Sequence, residues 1–307
     1  MLKFLWYGKL FFEKLAGKNY IPWFNFLGKI IKVPNFLDRY LPQGDIIVAT
    51  SWDTAKWVAR ASSSKGKKFY FIQQYEVWGG KDEVDESFKL PLRKIVIASW
   101  LQKLLKEKFH ENSYLLVNGV DTKLFHPVKV KRNKGEFRIG MLYHPAPWKG
   151  TKYGFAAYRI AKKEIPELKL VLISAYPMGD NFPPDTEFHF MIPPARLKYI
   201  YSSCDLWISP SLSEGCQAPP MEAMACGVPV IATRVGGIPD YTIPGKTAIV
   251  VEPRDVKTMA ESIKLLYNDS ILRHQVAKAG YNYITKKFTI DGIISKLEDI
   301  FLESLDN

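Results

Sequence analysis

The sequence predicts an α/β protein of two domains, each built on a parallel sheet with helices on both faces. Three observations predict it. Short runs rich in Val, Ile and Leu alternate along the chain with stretches of helical periodicity, the pattern of repeated β–α–β crossovers. Most of these runs are continuously apolar, as expected for strands covered on both sides. A chain of 307 residues with 47% apolar content is long enough for two cores.

The first 40 residues are aromatic and basic. Six lysines stand against one acid, Glu13, in the first 32 positions, among Phe4, Trp6, Phe11, Phe12, Trp23 and Phe24. Trp6, Leu10 and Leu15, then Phe24, Leu27 and Ile31, keep loose helical spacing. The segment is expected either to pack its apolar side on the protein with its lysines in water, or to lie against an anionic membrane surface. Nucleic acid, which such a composition also suits, is not expected as a partner.

Strands follow at 45–50, 69–73, 94–99 and 114–118, with helices over 53–62 and 99–109. Asn118-Gly119-Val120-Asp121 closes the fourth strand with turn chemistry, and a basic stretch runs from Lys129 to Lys134, so the first domain is expected to span 1–127. Strands resume at 137–142 and continue at 168–174, 187–190, 205–209, 229–233 and 247–251. Helices are expected over 151–163, 194–203, 219–226 and 255–267. Two more, 270–285 and 291–304, end the chain. The second domain is read as 128–285, and 286–307 as a terminal helix returning to the first.

Several chemistries find no support. No apolar run is long enough to span a bilayer, and lysines interrupt any signal-peptide core, so a cytoplasmic protein, peripheral on the membrane at most, is expected. Cys204, Cys216 and Cys226 lack metal-ligand spacing and read as reduced, buried thiols. Asp82 and Asp85 fall in what reads as a charged loop away from any strand end, so no metal site is expected. There is no Gly-x-Ser-x-Gly elbow, no Walker loop and no Gly-x-Gly-x-x-Gly after a strand.

In open α/β sheets ligands bind outside the carboxyl ends of the strands. Glu214 sits there, on a Gly-containing loop after the strand 205–209. Glu222 follows Pro219 and Pro220, where a helix can start. N–H groups at a helix N-terminus face an anion, and a carboxylate accepts two hydrogen bonds from a vicinal diol. The combination suits a phosphate-bearing, hydroxyl-rich ligand, and a nucleotide sugar is one. Taken alone, Glu222 reads equally as a helix-dipole acid. Lys149, after the strand 137–142, is placed to neutralise a diphosphate, with His144 nearby. Gln73-Gln74-Tyr75-Glu76 closes the strand 69–73; Glu76 alone of the four is a plausible proton acceptor facing a second substrate, and reads equally as a surface acid. Ser51 and Asp53 read first as a helix cap.

The run from Glu214 to Val230, Glu-Gly-Cys-Gln-Ala-Pro-Pro-Met-Glu-Ala-Met-Ala-Cys-Gly-Val-Pro-Val, resembles the signature of the glycosyl transferases of group 1. That signature reads Glu-Gly-Phe-Gly-Leu-Pro-x-Leu-Glu-Ala-Met-Ala-x-Gly-x-Pro-Val. Gly236-Gly237-Ile238-Pro239-Asp240, Pro244-Gly245-Lys246-Thr247 and Val117-Asn118-Gly119-Val120-Asp121 are similar to the family as well. The resemblance implies the GT-B fold, two Rossmann-like domains with parallel sheets facing a cleft. It implies a retaining transfer of a hexose-type sugar from a nucleoside-diphosphate donor to a hydroxyl acceptor, glycan, lipid-linked or protein-linked, with no metal and no further cofactor. By it, Glu214 contacts hydroxyls of the donor sugar and Glu222 the ribose. Gly215, the backbone N–H groups of Cys216, Gln217 and Ala218, and Gly237 line the sugar and diphosphate. Lys149 takes the place of the family's lysine, and His144 stands where its arginine belongs. Cys216 and Gln217 replace Phe and Gly, Gln and Glu replace a His near the reacting carbon, and the usual opening strand with its Gly-rich loop is missing, so the acceptor-side domain is expected to be shortened at its start. Two other functions stay open on the residues: a nucleotide-sugar epimerase of the same fold, and a donor-binding scaffold without transfer activity.

Overall fold

The computed structural model describes residues 28–306 apart from Asp180. The aromatic, basic segment therefore lies mostly outside the described residues. The chain divides into two compact units, Met1–Pro42 and Gln43–Asn307. The described part of the first holds one short 3-10 turn, Asp38–Tyr40.

The second unit contains two parallel sheets, as the alternation of strand and helix patterns predicts. The first has the order β1-β2-β3-β4, from Ile46–Ala49, Lys67–Ile72, Arg93–Val96 and Ser113–Leu115. Helices α1 (Trp52–Arg60), α2 (Lys81–Phe88) and α3 (Ser99–Phe109) connect these strands. Ala55, Val84, Phe88, Leu101 and Leu105 seal one face of the sheet in a core with Tyr70, Ile72 and Val96.

The second sheet has the order β10-β9-β8-β5-β6-β7, all parallel. Its strands are β5 (Phe137–Leu142), β6 (Leu168–Ser174), β7 (Glu187–Phe190), β8 (Leu206–Ser209), β9 (Val230–Thr233) and β10 (Ile249–Val251). Helices α4 (Thr151–Glu164), α5 (Pro194–Ser203), α6 (Ala218–Ala225), α7 (Ile238–Tyr241) and α8 (Val256–Asn268) lie between them, and α9 (Ser270–Lys287) and α10 (Ile290–Asp306) follow. Two separate apolar clusters cover its two faces, one around Trp207, Met221 and Tyr241, the other around Phe155, Tyr158 and Ile263. The chain runs outward from β5 through β6 and β7, then returns to β5's other side with β8. That reversal is a topological switch point, where open α/β sheets leave a crevice at the strand ends.

α10 comes back to the first sheet. Ile293, Leu297, Ile300 and Phe301 pack on Phe69, Ile95 and Leu116, with the Phe69 and Phe301 rings edge to face at 5.0 Å. Arg93 Nη1 donates to Ser304 O at 3.2 Å, and Val120 bridges Thr289.

One expectation is corrected. Asp82 and Asp85 do not lie in a loop but on α2. Two acids, Asp82 and Glu83, sit in its first turn, where the helix dipole favours them. Asp85 accepts hydrogen bonds from Tyr75 Oη (2.5 Å), Lys81 Nζ (3.0 Å) and Lys108 Nζ (2.8 Å).

Candidate functional site

Two loops meet at the switch point. The loop after β5 ends in the 3-10 turn Pro147–Lys149 and passes into α4 through Gly150, whose φ is +67°. A Cβ on Gly150 would stand 1.9 Å from Pro210 O, at the end of β8, so only glycine lets the two loops come this close. Leu212 N donates to Trp148 O at 2.7 Å and fastens them. Lys149 Nζ is thereby set against both carboxylate oxygens of Glu214, at 2.8 and 2.9 Å. Ser211 Oγ donates to Glu214 Oε1 at 2.8 Å. The two residues, on the loops after β5 and β8, are a partly buried ion pair, their side chains 25% and 13% exposed.

The loop 214–216 also reaches the first sheet. A Cβ on Gly215 would meet Gln73 O at 2.0 Å, and Trp100 Nε1 donates to Gly215 O at 3.1 Å. Asn118 Nδ2 donates to Cys216 O at 3.4 Å, and Ser99 N to Asp240 Oδ2 at 2.9 Å. Gly236, with φ +57°, packs against Glu214 O, and Gly237 lies against Cys216. The Gly-Gly pair is thus the floor on which the Glu214 loop rests.

Lys149 and Glu214 are shared by two hollows. One, of about 140 Å³, is also lined by Leu142, Gln217 and Pro219. The other, of about 470 Å³, opens toward the first sheet, among Gln73, Gln74, Asn118, Trp78 and Trp148. A larger hollow of about 690 Å³ lies at the other end of the first sheet, among Lys67, Lys68 and Arg93. It is at the amino ends of its strands, away from the switch point, and is not the candidate.

Gln217 is 5% exposed. Ser209 Oγ donates to its Oε1 and Tyr241 Oη to its backbone O (3.0 Å), while its Nε2 has no partner. Among the described residues the backbone N–H groups of Cys216 and Gln217 meet no acceptor either. α6 itself offers fewer donors than an ordinary helix start, because Pro219 and Pro220 occupy its second and third positions. The donors available to an anion here come mainly from the loop and from Gln217.

Glu222 is placed in α6 but not in the wall of either hollow. Its Oε2 accepts from Tyr201 Oη at 2.6 Å, and burial pushes its carboxyl above the ordinary 4.5, against the lowering effect of that hydrogen bond. His144 is held by Ala146 N donating to its Nδ1 at 2.9 Å, and it stands edge-on to Tyr176 with the ring centroids 4.4 Å apart. Burial, and then the charge of Lys149, lower its pKa from 6.5, with Glu214 opposing. The ring is therefore neutral near pH 7, with its proton on Nε2. The positive charge at this point is carried by Lys149. Glu76 lies between Gln74 and Trp78 but does not itself line either hollow: its Oε2 accepts from Trp52 N, the first residue of α1, at 3.3 Å, and burial raises its pKa. Ser51 and Thr54 form a capping box at the same helix start, with Asp53 bonded to Ser51 Oγ.

The three thiols are unpaired; Cys204 and Cys226 are buried and Cys216 partly so, and burial pushes each up to about 12. Among the described residues no group of three or more His, Cys, Asp or Glu is placed to hold a metal ion, and no helix is long and apolar enough to cross a membrane. Trp78, Trp148 and the side chain of Gln217 are absent from the sequence-based reading of the site. Nothing in the motif reports which way a side chain next to it points.

Residues 123–283, more than half of the chain, match the family described as Glycosyl transferases group 1. A D-inositol 3-phosphate glycosyltransferase of Corynebacterium diphtheriae is 33% identical over 109 residues, 36% of this chain and 25% of that one. The enzyme of the same name from Corynebacterium glutamicum is 25% identical over 214 residues, 62% of this chain and 51% of its own length. The chain thus spans a quarter to a half of the length of these curated relatives. Among solved structures, sucrose-phosphate synthase from Thermosynechococcus elongatus superposes with a TM-score of 0.74 at 19% identity, covering 85% of this chain and 74% of that one. HepE of Anabaena, solved in complex with UDP, gives 0.72 at 16% identity, covering 84% and 79%. These likenesses show the GT-B fold, with its two parallel sheets. By sequence and by fold, the chain belongs to the glycosyl transferases of group 1.

Proposed function

We propose that the protein transfers a sugar from a nucleoside-diphosphate donor to a hydroxyl acceptor, with retention of anomeric configuration. The observation that carries this reading is the Lys149–Glu214 pair at the switch point of the second sheet, with unpaired N–H donors beside it. A leaving nucleoside diphosphate gains negative charge as the glycosidic bond breaks. A fixed ammonium and preoriented N–H groups lower the energy of that charge with little reorganisation. Lys149 supplies the ammonium in this reading, Cys216 and Gln217 the N–H groups. Glu214, held by Ser211, accepts from sugar hydroxyls, and His144 donates through Nε2 as a neutral partner. Glu222 keeps Oε2 on Tyr201, and its assignment to the ribose rests on the family resemblance, since it lines neither hollow. Glu76 serves the start of α1 and takes no proton from the acceptor; the departing phosphate does. UDP is the first nucleotide to try, since HepE was solved with UDP and with UDP-glucose.

Nucleotide release from UDP-, GDP-, ADP- and dTDP-sugars tests the proposal. One donor is expected to be turned over, and Lys149→Ala to lower that turnover by about 10²–10³-fold. Release by Lys149→Ala at the wild-type rate would remove Lys149 from the mechanism. A free epimer without nucleotide release would favour an epimerase, and binding without either product a scaffold.

A further inference from the structure

Two indoles stand in the wall of the larger hollow. Trp78 is 67% exposed and Trp148 49%. They come from opposite sides of the cleft, Trp78 from the turn after β2 and Trp148 from the loop after β5, and both border the hollow of about 470 Å³ that contains Lys149 and Glu214. A folded protein gains nothing by leaving two tryptophans so bare, and large apolar groups gathered at one concavity mark a binding surface.

Both turns are fastened. Val77 N donates to Tyr75 O at 2.9 Å and Gly80 N to Val77 O at 3.2 Å, while Tyr75 itself is tied to Asp85 and Lys108. Trp148 is held by Leu212 N on its backbone oxygen. The rings are therefore presented on anchored backbone, which reduces the ordering cost of binding. Beside them lie three side-chain amides, Gln73, Gln74 and Asn118. Gln74 Oε1 is buried without a partner. It lies against Gly215, and the exposed one of the three amides is that of Gln73.

From this we infer that the hollow is the acceptor subsite and that the acceptor presents a pyranose ring. A pyranose has an apolar face of axial C–H bonds that lies flat on an indole, and an edge of hydroxyls that amides bind in pairs. An acyl chain would leave the amides unsatisfied, and an open-chain polyol has no flat face to offer the indoles. The place of this subsite in the reaction rests on the donor reading above, but the ring recognition does not.

Saturation-transfer NMR with methyl gluco-, galacto- and mannopyranosides and their disaccharides tests it, with sorbitol and glycerol as open-chain controls. Each is measured with and without whichever nucleoside diphosphate raises the melting temperature. At least one pyranoside is expected to bind where sorbitol does not. Trp78→Ala and Trp148→Ala should each weaken it by about tenfold or more, and Trp148→Phe should restore most of the loss. Nucleotide affinity should stay within about twofold in all three variants. Pyranoside binding without nucleotide binding overturns the donor reading and leaves this one standing. Nucleotide binding with no pyranoside bound, or pyranoside binding unchanged in both alanine variants, overturns this one. So does the absence of pyranoside binding together with flotation on anionic vesicles that both variants abolish, which would assign the indoles to a membrane.

Discussion

Lys149 and Glu214 satisfy one another before any ligand arrives. An ammonium and a carboxylate held 2.8 Å apart in a partly buried place attract more strongly than the same pair in open water. In the proposed function a diphosphate would bring further negative charge to the same ammonium, which the pair keeps aimed at the hollow. Glu222 shows the opposite economy. Burial raises its carboxyl pKa, so the folded state holds that proton more tightly than the unfolded chain does. The stability cost is absent at and below pH 4.5 and grows as pH rises from 4.5 through the raised value. Glu222→Gln, which can still accept from Tyr201, is therefore expected to raise the melting temperature at pH 7 and to leave it unchanged at pH 4, as read by calorimetry. A wild-type melting temperature at pH 7 would show that Glu222 carries no burial cost. Both glutamates and Lys149 were legible as a spacing of residue types. The Gln217 amide and the two cleft indoles were not, because their orientation depends on loops that meet from distant parts of the chain.

Helix α2 marks where local pattern fails. Of its eight residues only Val84, Ser87 and Phe88 are buried, too few to form a readable apolar stripe. Val84 and Phe88 anchor it in the core, and Asp85 adds a polar tie to Tyr75 and two lysines. Burial alone would raise the pKa of Asp85, but Lys108, Tyr75 and Lys81 hold it at about 2. Its contribution is thus complete above pH 3.8 and is lost as pH falls through about 2. Asp85→Asn should lower the melting temperature at pH 6 and make no difference near pH 2; an equal loss at both would show that charge is not the cause. The long elements read cleanly. β5, β6, α3 and α5 have the bounds their patterns predict, because each packs in a covered layer; β7 also has its predicted bounds, although it is an edge strand with no buried residue. α10 reads in the sequence as a terminal helix returning to the first domain, although the pattern of its apolar side does not by itself name the strands it covers, Phe69, Ile95 and Leu116. Phe301→Ala should cost about 1–3 kcal/mol in urea unfolding if its packing on Phe69 matters as drawn.

The two sheets share a purpose only through the loops that join them. Gly215 touches Gln73, Trp100 holds Gly215, and Asp240 receives Ser99 N–H, so the Glu214 loop is fixed by both halves of the cleft. The strand order of the second sheet puts the loops after β5 and β8 side by side, a placement that no single motif in the sequence encodes. The family signature falls in the loop after β8 and the start of α6, and says nothing of the first sheet that faces them. In the proposed function a nucleoside diphosphate binds at this switch point. Differential scanning fluorimetry with UDP, GDP, ADP and dTDP, on the wild type and on Glu222→Ala, tests it most directly. One nucleotide at a hundredfold excess over its dissociation constant is expected to stabilise the wild type by about 2.7 kcal/mol, and Glu222→Ala to lose most of that gain. No stabilisation of the wild type by any of the four, or equal stabilisation of both proteins, would contradict the account.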